Sequence, residues 1–175
     1  MKLITVNAKN IIKKSEQGFT LIELLVVIGI LAILMGIVLI AINPARQFAQ
    51  ANNTDRSNAV TQILNAVGQY EADNHGGLPG TLTKGMAAPL EIAGPAVAGT
   101  SVDLCTPLSS TTQYIPSFPV DPSIDNGAGM GASVTDCTKA YDSGYKVQVD
   151  ANGRVTITAP KTDLTVTANV ISVTR

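Results

Sequence analysis

The chain has 175 residues, with 12 basic and 13 acidic side chains, a formal net charge of −1, two cysteines, one histidine and no tryptophan. That balance carries no basic footprint for nucleic acid, a single histidine leaves little room for general-base or zinc chemistry, and no phosphate-binding loop or nucleophile motif occurs. Hydrophobic residues reach 45% while aromatics are only 4%, which predicts one long aliphatic segment beside a small head rich in Val and Thr.

Residues 1–18 form a polar leader with four lysines, Lys2, Lys9, Lys13 and Lys14. From Phe19 to Ile42 the sequence is apolar for 24 residues and holds one ionisable side chain, Glu23. A helix of that length rises about 36 Å, enough to cross a hydrocarbon core of about 30 Å. The lysines in front favour a cytoplasmic N-terminus and an exported C-terminus. A secretory signal core is shorter, about 7–15 residues, and ends at a small-residue cleavage site rather than at Asn43-Pro44. A carboxylate within a span is expensive unless paired, so Glu23 is a functional candidate. A cut between Gly18 and Phe19 puts a cationic α-amino group one helical turn from Glu23, on the same chain or on a neighbour.

Pro44 follows the span and is expected to kink the helix. Ala59, Val60, Ile63, Leu64, Val67 and Tyr70 then keep an amphipathic helical rhythm, so one long bent helix is predicted from about Thr20 to Asn74. Ala32 and Gly36 have a small-xxx-small spacing that permits close helix approach in lipid, although glycine is common in membrane helices anyway. Asn74-His75-Gly76-Gly77 ends the helix, with Gly as the stop and His75 near the last carbonyls. Between Leu78 and Asp136 the chain is loop-like; Met86–Ile92 is expected as a short helix, and Tyr114–Pro122 as an extended, proline-punctuated crossing. Gly144–Val149 and Arg154–Thr158 alternate about an Asn152-Gly153 hairpin signal. Leu164–Val173 offers a third strand. Three antiparallel strands on the amphipathic helix make a two-layer α+β head.

Over Gly18, Phe19, Thr20, Leu21, Ile22 and Glu23 the chain resembles, position by position, the type IV pilin and type II secretion pseudopilin superfamily. The resemblance covers roughly the first quarter of the sequence. It implies cleavage after Gly18 by a prepilin peptidase, N-methylation of Phe19, and polymerisation with other copies and other pilins on an inner-membrane platform. It also implies pairing of Glu23 with the Phe19 amine of an adjacent subunit. Pro119-Val120-Asp121-Pro122 is similar to a segment that precedes the sheet in many pilins and pseudopilins. The expected organisation is a leader over 1–18, a transmembrane and assembly helix over 19–43, and an exported head over 44–175. Loss of the leader leaves eight basic and twelve acidic residues, a formal charge of −4.

Cys105 and Cys137 both lie in the exported part, where an oxidising compartment favours one disulfide. Asp121, Asp125 and Asn126, with Asp136 and Asp142 nearby, have the oxygen donors that Ca²⁺ takes, and some pseudopilins hold calcium in such a loop. The same residue types are ordinary turn formers, and the spacing is not that of an EF-hand. No other cofactor and no catalytic residue is indicated. Two functions compete: a filament subunit, and a membrane-tethered binding or enzyme domain for which the helix is only an anchor. The second gives no reason for Glu23.

Overall fold

The computed structural model describes residues 18–110 and 113–175. The leader expected over 1–18 therefore lies outside the described residues, apart from Gly18. The chain divides into two compact units after Asn43.

In the first unit, α1 (Leu21–Ala41) is a helix of 21 residues with Thr20 as its N-cap. Every described side chain from Phe19 to Leu39 is exposed, so nothing in this unit covers the apolar surface. The segment Leu21–Leu39 is long and apolar enough to cross a membrane. Helical geometry stops at Ile42, which is extended at φ −98° and ψ 121°.

The second unit opens with α2 (Pro44–Asp73), a helix of 30 residues. The single bent helix expected from Thr20 to Asn74 is thus two helices with Ile42 and Asn43 between them. Proline explains the break: its ring disfavours the α-region for the preceding residue, and its missing N–H costs nothing at the first position of a new helix. At the other end, Asp73 is the last helical residue and His75 takes the left-handed conformation at φ 56°, followed by Gly76 at φ 83°. The Gly76 N–H reaches back to the Glu71 carbonyl at 2.7 Å. His75 therefore supplies the first left-handed step of the stop that glycine alone was expected to provide.

Behind α2 lies a five-stranded sheet of order β2-β1-β3-β4-β5. Its strands are β1 (Leu90–Gly94), β2 (Ser101–Val102), β3 (Tyr141–Val149), β4 (Val155–Ala159) and β5 (Ile171–Thr174). All neighbours pair antiparallel except β1 with β2. The β3–β4 hairpin forms at Asn152-Gly153, but through a three-residue loop rather than a two-residue turn: the Asp150 N–H donates to the Arg154 carbonyl at 3.0 Å, and of the two residues only Gly153 is left-handed, at φ 85°. There the Asp150 carboxylate accepts from the Asn152 and Arg154 N–H groups, each at 2.8 Å. The third expected strand is shorter than Leu164–Val173. Asp163 draws the chain into a turn by accepting from the Thr165 N–H at 2.9 Å and hydroxyl at 2.6 Å.

Two strands, β1 and β2, add to the three expected. The helix anticipated over Met86–Ile92 is instead the approach to β1 and its first residues. Pro89 disfavours a helix through Ala88, and the alternation of exposed Glu91 with buried Ile92 suits a sheet edge. One core results: Val60, Ile63, Leu64 and Val67 of α2 meet Ile92, Val102, Tyr145, Val147, Val149 and Ile157 of the sheet. The short helix α3 (Cys105–Ser109) adds buried Cys105 and Leu108 to the same core.

Candidate functional site

The residues singled out around Gly18, Phe19 and Glu23 lie at the start of α1. Thr20 and Glu23 form a reciprocal capping box. The Glu23 N–H donates to Thr20 Oγ1 at 3.2 Å, while the Thr20 N–H and hydroxyl both donate to Glu23 Oε2 at 2.8 Å. A helix begins with four N–H groups that lack intrahelical partners, and this box satisfies two of them. The reason for an acid at this position is thus partly local. Both bonds fall on one carboxylate oxygen, and an ionised carboxylate accepts several donors. Glu23 can hold its own helix start and still receive a cation. Phe19, one residue before the cap, is 82% exposed. Gly18 has no atom within 4 Å of where a Cβ would stand, so this unit imposes no steric demand for glycine there.

A second polar cluster ties the head together. Arg56 and Asn53 sit in the buried stripe of α2 with Ala49, Val60, Ile63 and Val67. The Arg56 guanidinium makes a bidentate pair with the Asp121 carboxylate, Nε to Oδ2 at 2.8 Å and Nη2 to Oδ1 at 3.1 Å. Its Nη1 donates to Asn53 Oδ1 at 3.0 Å. Asn53 also exchanges two bonds of 2.9 Å with the backbone of Asp163. Burial alone would raise the Asp121 carboxyl; the Arg56 pair and two bonds from Ser123 outweigh that and hold it below the ordinary range. On the other side, the same carboxylate raises Arg56 above its usual value, against the opposing effect of desolvation. Gly144 of β3 lets the Asp121 loop lie flat on the strand. It is at φ +76°, and a Cβ there would come within 2.8 Å of Asp121 Cβ.

The oxygen-bearing residues considered for calcium are given separate structural tasks. Asp121 is fully buried on Arg56. The Asp125 carboxylate accepts from the N–H groups of Gly127 at 2.7 Å and Gly129 at 3.1 Å. Asn126 exchanges two bonds of 2.9 Å with the Asp142 backbone. Asp136 caps a turn through Thr138 and contacts Lys139 at 3.5 Å. Among the described residues, no group of three or more His, Cys, Asp or Glu side chains is placed to hold a metal.

Cys105 and Cys137 are joined in a disulfide with Cα atoms 5.5 Å apart. It fastens the start of α3 to the loop before β3. Tyr141 completes that corner: its hydroxyl donates to Asp103 at 2.7 Å and accepts from the Cys105 N–H at 3.1 Å.

Sequence reasoning missed Arg56, because the amphipathic rhythm read from the sequence begins only at Ala59. The signal was present in its spacing. Positions 49, 53, 56, 60, 63 and 67 continue one four-three rhythm, which places a cation on the core face and requires a buried acid.

A family model described as the prokaryotic N-terminal methylation motif matches residues 13–39. This prepilin-type motif marks the type IV pilin and pseudopilin superfamily, and the α+β fold behind it is pilin-like. Comparison with curated proteins and with solved structures finds no match.

Proposed function

We propose that this chain is a structural, non-enzymatic subunit of a type IV pilus-like or type II secretion pseudopilus filament. A membrane prepilin peptidase cuts between Gly18 and Phe19 and methylates the new Phe19 amine. The precursor waits in the cytoplasmic membrane with its head exported. An assembly platform then passes the subunit into a helical filament of its own copies and other pilins, with force from a cytoplasmic ATPase. Glu23 receives the Phe19 amine of an adjacent subunit.

The observation that carries this reading is the placement of Glu23 inside the matched motif, in the first turn of a helix whose described apolar side chains are all exposed. A surface of that size has to be covered. Lipid covers it in the precursor and neighbouring α1 helices cover it in the polymer, where the carboxylate and the amine neutralise each other away from water. The Cys105–Cys137 bridge supports an oxidising, extracytoplasmic place for the head. Intact-mass analysis of the chain recovered from membranes tests the processing. A mature form beginning at Phe19 and carrying one added methyl group is the expected result. A chain that keeps residues 1–18 and is found only as a monomer would refute it.

A further inference from the structure

The sequence holds two Asn-Gly dipeptides, Asn126-Gly127 and Asn152-Gly153. In such a pair the glycine nitrogen can attack the asparagine side chain, because glycine has no Cβ to hinder the approach and its backbone turns freely. The fold treats the two pairs in opposite ways. Asn126 is tied down by two bonds of 2.9 Å to the Asp142 backbone, one through each end of its side-chain amide. The Gly127 N–H donates to the Asp125 carboxylate at 2.7 Å, so a negative charge faces the nitrogen that would have to ionise. Asn152, in contrast, lies exposed in the β3–β4 loop, and its side-chain amide has no hydrogen bond among the described residues.

Beside Gly153 stands a cation. Lys84 Cε and Nζ lie 3.1 and 3.4 Å from where a Cβ on Gly153 would be. The backbone next to Lys84 is fastened there, because the Gly85 N–H donates to the Asp150 carbonyl at 3.0 Å. That same carbonyl accepts from the Gly153 N–H at 3.0 Å, so freeing the Gly153 nitrogen leaves it satisfied by Gly85. The Asp150 carboxylate in this loop is occupied by the Asn152 and Arg154 N–H groups.

We infer that Asn152 is a site of spontaneous intramolecular deamidation, promoted by Lys84, and that Asn126 is protected from it. The Gly153 N–H gives its proton to hydroxide, and its nitrogen forms a bond to Asn152 Cγ. The side-chain nitrogen takes a proton from water and leaves as ammonia. Water then opens the five-membered imide at either carbonyl, giving aspartate or isoaspartate at 152. The net change turns an amide and water into a carboxylic acid and ammonia, with no oxidant or reductant. The Lys84 ammonium favours the step by stabilising negative charge on the nitrogen and then on the oxygen of the tetrahedral intermediate. The product carries an added negative charge at the tip of the hairpin, and the isoaspartate form lengthens the main chain of the loop. The inference stands on the head alone and is independent of the filament reading.

The test uses the full-length chain with its disulfide intact, kept in detergent in mildly alkaline, ammonia-free buffer and sampled over weeks. Peptide mapping by mass spectrometry, with the two products separated chromatographically, follows both sites. Asn152 is expected to convert at least tenfold faster than Asn126, at a rate that rises with pH. Hydroxylamine, which traps the imide, is expected to cleave the chain between 152 and 153 and to spare 126–127. Lys84→Gln is expected to slow Asn152 about fivefold, the effect of a unit charge about 4 Å away in water. Lys84→Arg should keep the parent rate, and added salt should bring the parent towards Lys84→Gln. Unfolded in urea with the disulfide reduced, the two sites are expected to react at similar rates, which assigns their difference to the fold. Three results overturn the inference: Asn126 converting as fast as Asn152 in the folded chain, no conversion at Asn152 while the unfolded chain converts, or Lys84→Gln reacting at the parent rate.

Discussion

Asp121 shows how much of the head rests on one side chain. It is fully buried, accepts both arms of the Arg56 guanidinium and anchors Ser123. Asp121→Ala leaves the Arg56 cation buried and unpaired, and such losses cost about 3–5 kcal/mol. Thermal unfolding in detergent should show a fall of that size. Arg56→Met with Asp121→Leu, which removes both charges, should lose less than the single variant. The pair also sets an acid limit. Because the folded Asp121 carboxyl is held below its unfolded value of about 3.9, its stabilisation is complete above that value and fades as pH falls through the folded one. Melting temperature should therefore be insensitive to this group above about pH 5 and drop below about pH 4. In Asp121→Asn, the part of that acid slope due to this group should vanish. Asp121 was legible as an acid in a proline-rich crossing, but not as the counter-charge of Arg56. Turn residues and ion-pair residues share the same letters, and only the fold brings positions 56 and 121 together.

Elements set by strong local chemistry were the readable ones. The span of α1 follows from a run with one charge, the β3–β4 hairpin from Asn152-Gly153, and the apolar stripe of α2 from its helical rhythm. Elements set by their neighbours were not. β1 pairs with β3 across more than forty residues, and the one local sign against a short helix was Pro89, which disfavours helical geometry at Ala88. β2 is two residues long and exists because β1 lies beside it. The disulfide belongs to this scale, since it ties α3 to the loop before β3 across a sequence separation of 32. Closing a loop of that length contributes about 3–4 kcal/mol in the chain-entropy model. Cys105→Ala should lower head stability by about that amount, read as a lower denaturation midpoint, with a slope equal to the parent's or steeper because the unfolded chain is no longer cross-linked and exposes more surface.

At the scale of the whole molecule, the proposed function requires one chain to be stable in two surroundings, lipid before assembly and its own copies after it. In that proposal cleavage is the step that separates them, and Gly18→Val, by the family resemblance, should leave an inserted but uncut precursor that forms no filaments on electron microscopy. Glu23→Gln isolates what comes after the cut. A glutamine oxygen can still accept from the Thr20 N–H and hydroxyl, so the capping box and the start of α1 survive the change. What is lost is the negative charge alone. In lipid that loss is tolerated, because an uncharged amide is less costly near the interface than a carboxylate. In a packed filament it leaves each Phe19 amine without a counter-ion, which low-dielectric surroundings penalise by several kcal/mol. Glu23→Gln subunits should therefore insert and be cut at Gly18 but assemble poorly. Mass analysis and filament yield are to be measured without parent chains, which can carry the variant into mixed polymers. Thr20→Val gives the complementary result. It removes the hydroxyl from the box while keeping the charge, and should loosen the first turn by about 1 kcal/mol, the usual loss at a helix cap. If Glu23→Gln alone polymerises as abundantly as the parent and resists salt equally well, the carboxylate serves only the cap, and charge pairing between subunits is wrong.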